Sequence, residues 1–502
     1  MKKLLLGIDR GTTNVKVAVY DLNGKEIKVS SRSCEKVRTI RAGFAEQDMN
    51  QIWTDTVDAI RGIWDDRIRP ENIIGVGLSG QGGGIFFVDE KGEPVRSGIV
   101  SLDSRVVEAV KEWDKDGEHE TFCRLGNNCP PAGPVALSYW MKAFEPDNYK
   151  RIRWVLQCKD WVRFKLTGEV YYETTDASNG FLLDSQQKYK LDIFDQLGLR
   201  EMREKFPTLL CPWEKAGSIT TDAATATGLL EGTPVAAGGH DVAMVALGAG
   251  CYKNGQLATV LGTFGLNLMT VENPHTMMYR YAKIVLGAAK DCYLMMNGAS
   301  TGVATEWFLD TFCREEKNQA KATGENVFSI VENEVLCAAD EGKSDIICHP
   351  FAEPPYTLDG YGNAKFGFYG ITLNHTKAQI IRAYYEGVVI EMALSIAVLR
   401  NTVEEMRTFR LVGGGSTSRL FGQMFADACN TCVEVMDLKE AGCRGAALTA
   451  GIAAGVYADY EAIGRLPAQV REVYRPDSDG VAYMSTKIKR FEEIGRLIRG
   501  TW

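Results

Sequence analysis

Asp9 closes an apolar run, Leu4–Asp9, and the small turn Gly11-Thr12-Thr13 follows directly. A turn of small residues at a strand end presents backbone N–H groups as a nest for phosphate, and threonine hydroxyls add donors. A carboxylate beside such a nest repels the anion unless a cation such as Mg²⁺ lies between them, so Asp9 is the expected metal residue. Lys16, in the next strand, is placed to face the phosphates. Gly262-Thr263-Phe264-Gly265 offers a second nest. Gly413-Gly414-Gly415-Ser416 offers a third, where bare backbone can approach a nucleotide and the N-terminus of the following helix favours negative charge. Asp241 follows Gly238-Gly239-His240 at another strand end. Its carboxylate suits the removal of a proton from an alcohol; capping a helix that starts near Val242 is the alternative. In a loose phosphoryl transfer that proton moves late, so position counts for more than a raised pKa. Gln81 with Gly82, Gly83 and Gly84 sets an amide beside open space for a small polar ligand. Asp103 and Arg105 suit sugar hydroxyls, or form a surface ion pair, and His240 adjoins Asp241 as a further substrate contact.

Regular elements must hold these groups. Leu4–Asp9 reads as a buried strand, and Asn14–Tyr20 alternates as a half-buried one. Asn23-Gly24 has the composition of a type I′ hairpin turn. The pattern of strand, Gly/Thr turn and strand returns at 256–271, which implies two related halves divided near residue 240. Ile73–Leu78, Val235–Ala237 and Phe409–Val412 are further strands, each running into one of the glycine-rich loops. Thr376 opens a helix with a capping box, and Glu440–Val456 is a helix rich in small residues, suited to close packing. Strands and helices alternate throughout, so the class is α/β.

Composition narrows the chemistry. The chain of 502 residues carries a net charge of −8, which argues against a general nucleic-acid binder. Asp9 and Arg10 cut short the apolar run of an export signal, and the longest uncharged stretch, Asn254–Val271, is too short and too polar to span a membrane. A cytoplasmic protein with 13 reduced cysteines is expected, the Cys429-x-x-Cys432 pair being structural. Other catalytic patterns account for less. Gly298-Ala299-Ser300-Thr301-Gly302 matches a hydrolase nucleophile turn, with His349 or His375 downstream, but leaves Asp9 and the triple glycine idle. Gly413-x-Gly415-x-x-Ser418 fails the dinucleotide pattern at its third position, and no P-loop or H-E-x-x-H is present.

Taken in order, these residues resemble the FGGY carbohydrate kinase family, of the actin/hexokinase/Hsp70-type ATPase fold, over nearly the whole chain. Gly7-Ile8-Asp9-Arg10-Gly11-Thr12-Thr13 resembles its first phosphate loop, Phe44–Asp48 its next recurring segment, Gly77–Gln81 its sugar-side loop and Asp103-x-Arg105 its W-x-D-x-R segment. Gly239-His240-Asp241 resembles the segment with the catalytic base, Leu261-Gly262-Thr263 the second phosphate loop, and Gly413–Ser416, with Gln423 and Asp427 after it, the adenosine loop. Ala441-Gly442 to Gly451 resembles the closing signature helix.

The resemblance implies two related ribonuclease H-like domains flanking a cleft, 1–239 on the sugar side and 240–502 with the second phosphate and adenosine loops. It implies ATP and Mg²⁺, with Asp241 as base, Asp9 for the metal, and Gly11, Thr12, Thr13, Lys16, Gly262 and Thr263 for phosphates. Gly413, Gly414, Gly415 and Ser416 would border the adenosine, and Gln81, Gly82, Gly83, Asp103 and His240 the sugar. Ser101 stands where a tryptophan is usual, and Gly82-Gly83 where D-xylulose kinases carry Met-His. These positions and Cys158-Lys159-Asp160-Trp161 look closer to L-xylulose and erythritol kinases. The expectation is phosphorylation of a terminal hydroxyl of a ketopentose such as L-xylulose, with an erythritol-like polyol or a non-catalytic ATP switch as alternatives. Sugar and ATP are the expected partners, without nucleic acid or membrane, and a homodimer is the expected assembly.

Overall fold

A computed structural model describes residues 2–106, 133–190, 192–272, 282–299, 301–353 and 361–501. The chain builds two compact units. The first takes Met1–Tyr252, Val285–Asp291 and Glu440–Ala468, and the second Lys253–Ile284, Cys292–Lys439 and Gln469–Trp502. His240 and Asp241 thus stay with the first unit, which also recovers the helix Ala441–Ala453 from far along the chain.

The first unit is organised on strands β1 (Leu4–Arg10), β2 (Asn14–Asp21), β3 (Glu26–Ser33), β4 (Ile73–Gly80), β5 (Lys215–Ser218), β6 (Pro234–Ala236) and β7 (Gly239–His240). Their order is β5-β6-β4-β1-β2-β3, with β7 also against β4. β1, β2 and β3 form an antiparallel meander, β4 runs parallel to β1 and β6 parallel to β4, and β5 closes the edge antiparallel. In the second unit β8 (Gln256–Leu261), β9 (Gly265–Val271), β10 (Tyr293–Ala299), β11 (Thr408–Val412), β12 (Val433–Met436) and β13 (Val470–Tyr474) are arranged β10-β9-β8-β11-β12-β13. Every pairing has the same sense as its counterpart in the first unit. The repeat visible in the sequence as one meander is therefore a repeat of a six-strand arrangement, except that edge strand β5 precedes β6 in the chain while β13 follows β12.

Alternation along β1 sets its two faces. Leu4, Leu6 and Ile8 join Val15, Val17 and Val19 and pack with Ile52 and Ile60 of the helix Met49–Arg61. The other face meets the helix Ala441–Ala453 at very close range. A Cβ on Gly7 would lie 1.9 Å from the carbonyl oxygen of Cys443, and one on Gly77 1.9 Å from that of Ala446. Helix and sheet touch through backbone, which is why this helix is rich in alanine and glycine.

The Asn23-Gly24 turn departs from expectation. Only Gly24 takes a positive φ, 72°. Asp21 Oδ1 accepts the N–H groups of Asn23 (2.9 Å) and Lys25 (3.0 Å), so a side chain shapes the turn that a type I′ pair would have shaped with backbone alone. In the second unit the capping box of Thr376 opens the helix Lys377–Arg400 as expected. All described cysteines are free thiols, Cys429 and Cys432 included. Among the described residues no helix is long and apolar enough to cross a membrane.

His349 sits in an aromatic cluster of Phe351, Tyr361, Tyr369 and Phe491, with Nε2 3.0 Å from the Phe491 carbonyl oxygen. Burial pushes its pKa down to about 4. The unfolded chain takes up that proton near the ordinary pKa of about 6.5. Stability is therefore full above that value and falls as pH drops toward 4.

Two measurements follow from this packing. Gly7→Ala should cost about 3 kcal/mol in chemical unfolding, because the opposing atoms are backbone and cannot turn aside. Gly362→Ala, where nothing lies within 4 Å, should be close to neutral. Between pH 7.5 and 5.0, His349→Phe should lose about 2 kcal/mol less stability than the unaltered protein. An equal pH dependence would dissociate His349 from acid lability.

Candidate active site

Three parallel strand ends of the first unit lie side by side. Asp9 pairs with Ser79 and Ser79 with Gly239; one step on, Arg10 pairs with Gly80 and Gly80 with His240. Asp9, the Gly80–Gly84 turn and Asp241 thus leave the same edge of one sheet, the usual place for a ligand in α/β proteins.

Asp9 Oδ1 accepts the Ser79 hydroxyl at 2.8 Å. Its Oδ2 lies against Gly442, where an added Cβ would be 2.7 Å away. Burial raises the Asp9 pKa and the charge of Asp241 adds to it, while Ser79, Lys16 and Arg10 pull it down. Lys16 gives its ammonium to Glu440 at 2.8 Å, an engagement its sequence position does not reveal. In Asp241, Oδ1 accepts the Val242 N–H at 2.7 Å and lies 3.3 Å from His240 Nε2. Among the described residues no donor reaches its Oδ2, and the side chain is 39% exposed. Asp241 is the first residue of the helix Asp241–Gly248, and His240 takes the N-cap position that was open to Asp241.

The turn at residues 11–13 is held by a ring of neutral groups. Thr12 Oγ1 donates to Gln81 Oε1, Gln81 Nε2 to Gln47 Oε1 (3.2 Å), and Gln47 Nε2 to the Thr12 carbonyl (3.0 Å). Gln81 thereby spends two of its four hydrogen-bonding positions on the loop, and its amide also reaches the Cys158 thiol. The space beside Gly82 is not open as the sequence suggests but is taken by the His240 ring. A Cβ on Gly82 would fall 1.9 Å from His240 Nε2 and 3.0 Å from Asn179 Nδ2. Gly83, at φ 77°, faces Ser101. His240 is fixed from below, its N–H donating to Thr175 Oγ1 at 2.8 Å.

Asp103 is turned away from any ligand. Its two oxygens accept the Ala45 N–H (2.7 Å), the Arg105 N–H (2.9 Å) and the Arg105 guanidinium, and its side chain is fully buried. Arg105 continues to Glu46 at 2.6 Å and stacks on Phe44 and Trp140. The Asp103–Arg105 pair is thus neither a set of sugar contacts nor a surface ion pair, but an interior brace.

The second unit holds a cavity of about 400 Å³ lined by Gly262, Gly302, Asn326, Glu332, Gly414, Gly415 and Ser418 among others. The structure thus joins two loops far apart in sequence, because β8 and β11 are parallel neighbours. Gly413 takes φ 91° against the Leu261 carbonyl, and Ser416 turns its hydroxyl back to the Gly413 carbonyl at 2.7 Å, inside the turn. The Thr263 carbonyl accepts the N–H groups of Gly302 and Val303, both at 3.1 Å. The N-terminus of the helix Arg419–Cys429 is not open to an anion: Glu332 Oε1 accepts the Leu420 N–H (2.8 Å) and the Ser418 hydroxyl (3.1 Å). Repulsion from that carboxylate steers a phosphate away and leaves this end of the cavity to an uncharged group. Gln423 and Asp427 bond to each other at 2.9 Å and to the backbone of Arg475 and Asp477, and neither lines this cavity.

The hydrolase pattern finds no support. Ser300 lies outside the described residues, His349 is enclosed among aromatic rings, and half-buried His375 pairs with Asp345 at 3.1 Å. Among the described residues no cluster of three metal-ligating side chains occurs. Gln47, Thr175, Asn179 and Glu332 carry no local signature and are found only through their contacts.

The Gln47 ring makes a direct prediction. Gln47→Leu removes the donor to the Thr12 carbonyl and the acceptor for Gln81, worth about 1 kcal/mol each. Amide exchange in peptides covering residues 10–14 should speed up about tenfold, with the sheet core unchanged. Unaltered exchange there would show that the ring does not hold the turn.

Comparison with known proteins agrees with this geometry. The model for the N-terminal domain of the FGGY family of carbohydrate kinases matches residues 4–248, and that for its C-terminal domain residues 257–454. The L-xylulose/3-keto-L-gulonate kinase of Escherichia coli K12 is 30% identical over 509 residues, covering 100% of this chain and 98% of its own. A probable L-xylulose kinase of Pasteurella multocida is 29% identical, covering 98% and 99%. Among solved structures, the xylulose kinase of Rhodospirillum rubrum superposes with a TM-score of 0.84 at 21% identity, over 99% of each chain. The glycerol kinase of Plasmodium falciparum, solved with ADP, gives a TM-score of 0.82 at 20% identity, over 98% of each chain. The chain belongs to the FGGY family of carbohydrate kinases.

Proposed function

We propose that this kinase moves the terminal phosphoryl group of ATP to a terminal hydroxyl of a ketopentose of the L-xylulose type. One observation carries the reading: Asp241 presents a partly exposed carboxylate oxygen with no donor on it, at the sheet edge shared with Asp9 and the glycine turn. As base, it accepts the hydroxyl proton late in transfer, and its Val242 hydrogen bond fixes its direction. His240, Gly82, Gly83 and the remaining capacity of Gln81 meet the sugar, while Asp103 braces the wall behind them. Gly11, Thr12, Thr13, Gly262 and Thr263 take phosphates. Gly413 to Ser416 border the adenosine, with Gly414 and Gly415 at the surface of the cavity. In this reading residues 1–239, with His240 and Asp241, serve the sugar and first phosphate loop, and the rest of 240–502 supplies the second phosphate loop and adenosine.

The donor set at Asp9 fits Mg²⁺. Burial holds the Asp9 pKa up and the charge of Asp241 adds to it, so a cation there would relieve both, and Gly442 leaves the second Asp9 oxygen uncrowded. Asp9 would hold the ion directly or through water, and the ion would neutralise phosphate charge. The reading extends to a cytoplasmic homodimer, the commonest closed assembly.

The substrate class rests on two supports. Small Gly82, Gly83 and Ser101 stand together where D-xylulose kinases carry bulkier residues, and two of the similar kinases carry L-xylulose in their names. ADP release with L-xylulose, D-xylulose, L-ribulose, 3-keto-L-gulonate and erythritol tests it, with L-xylulose expected to give the highest kcat/KM. Asp241→Asn should lower kcat roughly a thousandfold while ADP still binds. Full turnover by that variant would refute the base assignment, and ADP release independent of any sugar would favour an ATP switch.

A further inference from the structure

Arg10 is among the largest fully buried side chains, 1% exposed, and follows the Leu4, Leu6 and Ile8 row on β1 into the core directly beneath the first phosphate turn. One nitrogen donates to the Gly11 carbonyl, and its buried Nε has no hydrogen-bond partner among the described residues. Three other buried cations of this unit are neutralised. Arg105 meets Asp103 and Glu46, Lys159 meets Asp160 and Asp176, and Arg163 meets Asp160. Among the described residues no carboxylate forms an ion pair with Arg10. Its charge acts on Asp9 and on Cys34, whose thiol it hydrogen-bonds, but neither forms an ion pair with it. Cys34 and Cys158 are thiols whose ionisation burial opposes, and Asp55 is committed to the Glu35 N–H (3.1 Å) and Gln51 Nε2 (2.7 Å). Asp9 projects from the opposite face of β1.

A buried charge without a counter-ion is costly, and the cost falls when an anion arrives nearby. Gly11 is both the acceptor for Arg10 and the first residue of the turn that would receive phosphate. We propose that Arg10 is the fixed positive charge of this turn. It touches no ligand, and it makes residues 11–13 favour nucleoside di- and triphosphates over the nucleoside. The proposal rests on the assignment of this turn to phosphate. It makes Arg10 a positioning residue whose effect acts through charge.

Calorimetric titration of the full-length protein with ADP and with adenosine, in Mg²⁺, tests it on Arg10→Lys, Arg10→Gln and Arg10→Met. Gln and Met should weaken ADP roughly tenfold or more and leave adenosine unchanged. Lys should keep ADP within about threefold of the unaltered protein. Without ligand, Arg10→Met should unfold at no lower temperature than the unaltered protein, because it removes an unpaired charge. Equal weakening of both ligands, or unchanged ADP affinity with a lowered unfolding temperature, would make Arg10 a structural clamp and overturn the proposal. Should Arg10→Met not fold, the Lys and Gln pair decides it, since Gln keeps a donor and Lys keeps the charge. An unaltered protein that binds ADP no better than adenosine would remove the phosphate assignment itself, which separates that failure from the failure of Arg10.

Discussion

Backbone lies on backbone where the helix Ala441–Ala453 crosses β1 and β4, and the polar strand ends beyond depend on that approach. Gly7 and Gly77 admit the carbonyls of Cys443 and Ala446, which brings Gly442 up to Asp9 and Glu440 up to Lys16. The device recurs between this helix and the helix Asp241–Gly248. There, Cβ atoms on Gly248 and Gly445 would lie 1.8 Å and 2.0 Å from the Ala441 and Met244 carbonyls. Asp9 and Asp241 are therefore registered to one common element. Their mutual position is a packing result, fixed with the small tolerance that close-packed backbone allows.

On this frame, side chains are held by two kinds of bond with different stiffness. The wall behind the glycine turn is ionic and interior: Arg105 pairs with both Asp103 and Glu46, and breaking a buried pair costs about 3–5 kcal/mol. The turn at residues 11–13 is tied by neutral amides and one hydroxyl, at about 1 kcal/mol each. The wall is thus the rigid part and the turn the adjustable one, in keeping with a turn that must close on a ligand. In the second unit, Glu332 uses a negative charge to exclude: it fills the helix N-terminus that a phosphate would otherwise take and sorts the two ends of the cavity.

Much of this was legible in the sequence because it is local. The β1 and β2 runs, the Gly-Thr turns and the Thr376 capping box are written in periodicity and turn chemistry, and the structure keeps them within a residue or two. The meander repeat pointed to two like halves, although its extension to six strands needed pairings between segments hundreds of residues apart. Side-chain direction was not legible. Asp103 and Arg105 suggest hydroxyl recognition by type, yet a neighbouring Ala45 N–H and a distant Glu46 turn them inward. Gln47 and Glu332 look like ordinary polar residues until Thr12 and Leu420 are placed beside them. Asn23-Gly24 failed for the same reason on a smaller scale, since Asp21 competes for the turn's N–H groups.

The helix that anchors β1 and β4 is made more than three hundred and fifty residues after them. During synthesis the ribosome delivers most of the second unit, residues 253–284 and 292–439, before the first can be finished. The face of β1 and β4 that Ala441–Ala453 will cover stays bare through that interval, as does the partner surface of Asp241–Gly248. Late closure of such long-range contacts slows folding and lengthens exposure to aggregation, so the nascent chain has a built-in need for protection. It also ties quality control to function. A chain that stalls before residue 441 leaves Asp9 and Asp241 without their common reference, so an incompletely made enzyme is also an inactive one.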